Sequence, residues 1–249
     1  MIRRTRAKVF AALFWLCAWQ GLAMIVRLPL LLPSPVEVAV RWCELAGTAP
    51  FWRTVLSTLL HISVGFLSAL LLGVLLALVS SRLKWAETLL APLMVTIRSM
   101  PVASFAVLAV IWFSKENLST LLALTMALPI LYTNTLTGLR AIDPQMREMA
   151  EVFRIPTLRR IRCVYLPQFL PHLRSGIIVS VGLCWKSGVA AELIGRPKGT
   201  IGAQLWDAKT YLEVQDAFAW TVTVILLSLA FQALVLYLLK TVTRRLEKV

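Results

Sequence analysis

An all-α polytopic membrane protein is the fold class this sequence predicts, on three observations. Of its 249 residues, 59% are hydrophobic and only 15% are charged, too apolar for an ordinary soluble domain. The apolar residues come in blocks long enough to cross a bilayer, rather than at the scattered spacing of a globular core. The basic residues behind the net charge of +14 lie between those blocks, where they serve as topology signals and contacts to anionic lipid headgroups. That placement argues against nucleic acid as a partner.

Phe10–Val26 is a first uncharged block, short but adequate for a span. Arg3, Arg4, Arg6 and Lys8 precede it as in a signal peptide, but no small-x-small cleavage site follows. It is therefore read as an uncleaved span. The prolines of Leu28–Pro35, LPLLLPSP, prevent a continuous helix, and Pro35–Leu45 reads as a short amphipathic helix with Val36, Val40 and Cys43 on one face. Thr54–Val79 is the second span and ends at a basic turn, Arg82 and Lys84.

Trp85–Phe113 is long enough to cross, yet it carries Glu87 and the cluster Arg98-Ser99-Met100-Pro101. Pro101 removes a backbone donor and disfavours helix at Met100, so a kink or break is expected there. Leu118–Leu139 follows, with a polar patch Tyr132-Thr133-Asn134-Thr135. Phe169–Ile194 carries Lys186 and Glu192, a polar loop runs from Gly195 to Asp216, and Ala217–Leu239 is the last block. Six spans are expected. The chain divides into residues 1–53, a first span with an extracytoplasmic segment, and residues 54–249, a core of five spans.

Orientation follows from lysine and arginine. Seventeen fall at the N-terminus, the 82–84 turn, the 140–174 region and the tail from Lys240, against seven on the other side. Both termini and the central charged stretch are expected to be cytoplasmic.

That stretch, Asp143–Pro167, opens with an N-cap acceptor and a proline at the first helical position. Met146, Met149, Ala150 and Phe153 recur at i, i+3, i+4 and i+7, which gives one apolar face, while Gln145, Arg147, Glu148 and Glu151 take the rest. Pro156 breaks the helix, and a second short one is expected from Thr157 as cap to Pro167, carrying Arg159, Arg160 and Arg162. Two readings stay open on physics alone: an interfacial segment with its arginines on headgroups, or a docking element whose Met/Phe face fills a partner's groove.

Glu148-Met149-Ala150, Arg154 four positions later and Tyr165-Leu166-Pro167 resemble the EAA loop of ABC-type import permeases. Leu32-Pro33-Ser34-Pro35, Arg98-Ser99-Met100-Pro101, Trp112-Phe113, Pro129 with Asn134-Thr135, and Ala190-Ala191-Glu192 resemble landmarks of the nitrate/sulfonate/taurine branch, in order over nearly the whole chain. The resemblance implies a type I ABC importer permease in the bacterial plasma membrane, a transport subunit rather than an enzyme. Its implied partners are two copies of a cytoplasmic ATPase, a second permease subunit (an identical copy, with a relative as the alternative) and an extracytoplasmic solute-binding protein. It also implies that Met146, Glu148, Met149, Ala150, Glu151, Phe153 and Arg154 couple the chain to the ATPase. Two positions depart from the family pattern. Met149 replaces alanine, and Arg154 stands where the family has a glycine suited to a left-handed turn, a conformation that costs another residue about 1–2 kcal/mol. Either the turn differs here, relying on Pro156, or the strain is tolerated.

The chain has no G-x-x-x-x-G-K-[ST] loop and no hydrolase or HExxH constellation. His61 reads as a helix-contact residue, and His172 has no evident acid or metal partner. Cys17, Cys43, Cys163 and Cys184 are scattered apolar filler. No cofactor and no metal are expected.

Arg98 and Lys186 lie inside spans, where an ionisable side chain costs about 2.5–3.5 kcal/mol on insertion scales. With Ser99, Asn134 and Glu192 they are candidates to line a path for a small anionic or zwitterionic solute such as a sulfonate, taurine or nitrate. Arg98 could instead tie up carbonyls freed at Pro101. Glu192, at the outer end of its span, could meet a delivering binding protein or the loop that follows it. The rival functions are a secondary transporter, against which stands the lack of paired broken segments, and a non-transporting membrane scaffold or an enzyme subunit.

Overall fold

The computed structural model describes residues 2–28 and 30–248. Pro29, and the side chains of Arg3, Arg4, Arg6 and Lys8 and of Arg244, Arg245 and Lys248, lie outside the described residues. Every regular element among those described is helical, as expected where a bilayer leaves backbone groups no outside partner.

Helix α1 covers Ile2–Val26, and α2 covers Pro35–Ala46. A capping box starts α2: Ser34 Oγ accepts from the Glu37 N–H at 3.2 Å while the Ser34 N–H donates to Glu37 at 2.7 Å. Val36, Val40 and Cys43 face outward, as one face; Val38 is buried, and Trp42 on the same inward side packs edge-on against Phe51. Helix α3 runs from Ala49 to Arg82, so the 53/54 boundary falls inside its second turn. Helix α4 (Lys84–Ser99) and α5 (Val102–Trp112) meet at Met100-Pro101 with a bend of 105°. Proline chemistry breaks the span there, as the sequence predicts.

Helix α6 (Leu118–Arg140), α7 (Pro144–Val152) and α8 (Thr157–Arg160) follow. The short helix expected to stop at Pro167 does not stop. A π turn, Ile161–Tyr165, joins α8 to α9 (Leu166–Gly195), and the Leu166 N–H reaches back to the Ile161 carbonyl. The widened turn lets the helix run past a proline that has no N–H to give. The expected loop at 195–216 also needs correction: it contains α10 (Ile201–Thr210), capped by Thr200. Helix α11 is Val214–Lys248.

Four helical segments are long and apolar enough to cross a membrane, or five if the bent α4–α5 pair is one span; Leu13–Val26 of α1 is a shorter apolar stretch. Side-chain contacts set the helix directions. Thr120 donates to the His61 carbonyl at 3.0 Å, and Tyr132 donates to Ser80 at 3.0 Å. The partners climb together, so α3 and α6 run the same way, and residues 83–117 carry the chain from one end of the bundle back to the other. Cys184 against Ala123 and Asn134 against Gly176 show α9 running opposite to α6. Phe51 with Trp220 and Phe66 with Phe231 align α11 with α3.

The centre of the bundle holds Ile62, Phe66, Ala127, Leu131, Val181 and Trp185, all 0–1% exposed. Small residues let the backbones approach. A Cβ on Gly65 would sit 2.5 Å from the Thr120 carbonyl, so α3 can lie this close to α6 only with glycine there.

Candidate functional site

The charged stretch lies at the end of the bundle where α6 finishes and α9 begins. Asp143 caps α7 by accepting from the Gln145 N–H at 2.8 Å, and its own N–H donates to Gln168 Oε1 of α9 at 2.8 Å. The far end of α7 closes with two reversed bonds, Ile155 N–H to the Ala150 carbonyl (2.9 Å) and Arg154 N–H to the Glu151 carbonyl (3.0 Å). These are the two bonds of a Schellman motif. It requires a left-handed residue, and Arg154 supplies it with φ 49°. Of the two possibilities left open by the sequence, the structure has the left-handed turn with its strain tolerated. Arg160 folds back to Glu151 at 3.5 Å across that turn.

The apolar face divides. Ala150 is fully buried, so it is not part of an outward surface. Met146 and Met149 are 39% exposed, and Phe153 is 74% exposed. Val152, which the i, i+3, i+7 pattern skipped, is 78% exposed and extends the patch, as does Leu158 beyond the turn. Glu148 is exposed and makes no ion pair among the described residues. A short helix with bare methionine, valine and phenylalanine side chains beside one exposed carboxylate is suited to a groove with an apolar floor and a basic rim.

The other candidates do not form one cluster. Arg98, exposed at the end of α4, donates to Thr133 Oγ1 of α6 at 3.1 Å. It therefore ties α4 to α6 rather than capping carbonyls at the Pro101 break. Asn134 beside it donates to its own helix at Ile130 (2.9 Å) and packs against Gly176 of α9. Ser99 donates to Val95 within α4 at 2.9 Å. Lys186 is exposed on α9 and has no acidic partner among the described residues. No group of three or more His, Cys, Asp or Glu among the described residues is placed to hold a metal.

Glu192 differs from all of these. It is 0% exposed at the opposite end of the bundle from α7. Its Oε2 accepts from Thr58 Oγ1 of α3 at 3.0 Å and from the Gly202 N–H of α10 at 3.1 Å. Thr58 Oγ1 also accepts the Ile201 N–H at 2.9 Å. Of the three roles the sequence offered, contact with the following segment is the one its burial fits: a fully buried carboxyl group presents nothing to a docking protein or to a passing solute. Gly202 is required here, because a Cβ would come within 2.3 Å of the Glu192 side chain. Thr58 was not singled out from sequence, and no short-range pattern links it to residues 134 positions away. At the same end, Asp216 and then Glu44 hold the Arg41 guanidinium, raising its pKa well above the ordinary arginine range.

Residues 69–248 match the family described as binding-protein-dependent transport system inner membrane component. The chain is 28% identical over 190 residues to a putative aliphatic sulfonates transport permease protein of Bacillus subtilis, covering 76% of this chain and 68% of that one. It is 30% identical over 231 residues to the riboflavin transport system permease protein of Chloroflexus aurantiacus, covering 92% and 84%. It is 25% identical over 241 residues to the taurine transport system permease protein of Escherichia coli, covering 94% and 84%. Among solved structures, an amino acid ABC transporter chain superposes with a TM-score of 0.58 at 18% identity, over 83% of this chain and 96% of that one.

Proposed function

The chain belongs to the binding-protein-dependent transport system inner membrane component family of ABC importer permeases, and we propose that it forms the solute path of an ATP-driven importer, energised through residues 143–167. The observation that carries this reading is the α7 surface. Met146, Met149, Val152 and the C-cap Phe153 stand exposed on a doubly capped helix whose N-cap, Asp143, is tied to Gln168 of α9. Leaving such side chains bare has a solvation cost, and covering them in a partner's groove removes it.

In this reading Glu148 meets a basic residue of a cytoplasmic ATPase, which is present in two copies. Met149, Phe153 and Val152 fill its cleft. Ala150, Glu151 and Arg154 act from behind, holding the turn that aims them. The chain itself hydrolyses nothing. Residues 54–249 form the transporting core, paired with a second copy of the chain and loaded by an extracytoplasmic solute-binding protein. Six spans with both termini on the α7 side fit the helix directions: α1 ends beside the start of α11, where Trp19 meets Phe218, and α11 ends at the α7 side. On the positive-inside count that side is the cytoplasm of a bacterial cell.

The solute is proposed to be small and anionic or zwitterionic, of the sulfonate, taurine or nitrate kind. Arg98 at the α4–α5 break and Lys186 on α9, which has no acidic partner among the described residues, support this. Ser99, Thr133 and Asn134 supply hydrogen bonds beside Arg98.

Affinity purification of the assembled complex tests the coupling surface. Phe153→Asp places a charge in the apolar contact, and the ATPase subunit should leave the preparation while the permease stays folded and membrane-bound. Full retention of the ATPase by this variant and by Val152→Asp would refute the coupling role.

A further inference from the structure

A recess of about 660 Å³ opens between the first turns of α9 and the last apolar turns of α11. Leu170, Leu236 and Leu239 with Pro167 and Pro171 form its apolar wall, Arg174 and Lys240 are its cations, the exposed Tyr237 also lines it, and among the described residues no acidic residue does. Neither solute passage nor ATPase docking uses these residues. We propose that the recess is a specific binding site for one anionic phospholipid of the leaflet on the α7 side, with its phosphate between Arg174 and Lys240 and an acyl chain along the leucines.

The placement argues for this occupant. The uncharged apolar block of α11 ends at Leu239, so Lys240 sits at the membrane boundary. Tyr237 lies about one turn deeper, at the depth where aromatic side chains mark the interface. Basic recesses between spans on that face suit anionic headgroups. A free phosphate could use the two cations but not the leucine and proline wall beneath them, whereas a phospholipid uses both. The inference goes beyond the transport reading and needs only that α9 and α11 cross the bilayer.

The test uses the intact complex in nanodiscs of phosphatidylcholine, with and without phosphatidylglycerol, with retained lipid counted by native mass spectrometry. Each cation near an anionic surface contributes enough that two together give a preference of roughly 30-fold for phosphatidylglycerol in the wild type. The preference should fall close to unity in Arg174→Gln/Lys240→Gln and persist in Arg174→Lys/Lys240→Arg. Wild-type protein that shows no preference overturns the proposal, and that measurement stands even if the double variant fails to assemble. Equal retention by the wild type and the glutamine variant also overturns it. So does inorganic phosphate displacing the lipid at the concentrations where it binds, since the leucine wall would then contribute nothing.

Discussion

Glu192→Ala should be among the most destabilising single substitutions in this chain. The carboxylate is fully buried and receives two hydrogen bonds, from Thr58 of α3 and Gly202 of α10. Its removal leaves two buried donors without an acceptor, at about 1–3 kcal/mol each, or about 2–6 kcal/mol together. For a chain of this size that corresponds to a drop of roughly 4 °C or more in thermal midpoint. Thr58→Val loses one hydrogen bond, about 0.5–1.5 kcal/mol, and also leaves the buried Ile201 N–H without its acceptor, for a total of about 1.5–4.5 kcal/mol. Glu192→Gln keeps an acceptor in place and should cost far less. The double variant Glu192→Ala/Thr58→Val should cost less than the two single variants added together, because the shared bond is counted in both. The assay is thermal unfolding of the purified complex in one detergent, all four variants side by side. Strict additivity, or an alanine variant as stable as the glutamine variant, would show that the carboxylate does not hold α3, α9 and α10 together.

Two further outcomes follow from local geometry. Arg154→Gly relieves a left-handed arginine at φ 49°; the gain of about 1–2 kcal/mol is reduced by glycine's larger unfolded-state entropy of about 0.5–1 kcal/mol. The complex should therefore melt slightly higher, and a lower midpoint would mean that the arginine side chain itself stabilises the turn. Arg98→Gln/Lys186→Gln should cut ATP-driven uptake of taurine or a sulfonate into proteoliposomes by roughly tenfold or more, the equivalent of one charge-assisted hydrogen bond, while ATPase binding is unchanged. Uptake at the wild-type rate would remove these residues from the path.

The sequence carried those parts of the fold that depend on neighbours along the chain. Ser34 to Glu37 and Asp143-Pro144 are short-range cap signals, and both helices start there. Pro101 predicted the break between α4 and α5 for the same reason. Features set by distant contacts were not legible. α10 is short, opens at Thr200 between two glycines and is held by Glu192 and Thr58, so its pattern resembles a loop. On α7, periodicity grouped Ala150 with Met149 and Phe153, but it could not show which edge of that stripe is buried against the rest of the chain. Pro167 reads as a stop only if the preceding turn is α-helical, and it is not.

Thr157 to Gly195 forms one continuous helical rod of 39 residues, roughly 58 Å long at 1.5 Å per residue. One end adjoins the exposed α7 surface, and the other carries Glu192 in its clamp on α3 and α10. α6 lies antiparallel along much of this rod, from Leu118 beside Gly195 to Gly138 beside His172, so the two helices would tilt together. A tilt of about 10° about the midpoint would displace each end by roughly 5 Å in opposite directions. A push received at one face of the membrane would thus arrive at the other as a pull on α10, without any change in helix length. Under the proposed coupling, the π turn lies within this rod between the end that would receive the push and the long arm that would transmit it, so its stiffness would set how much of the stroke is delivered.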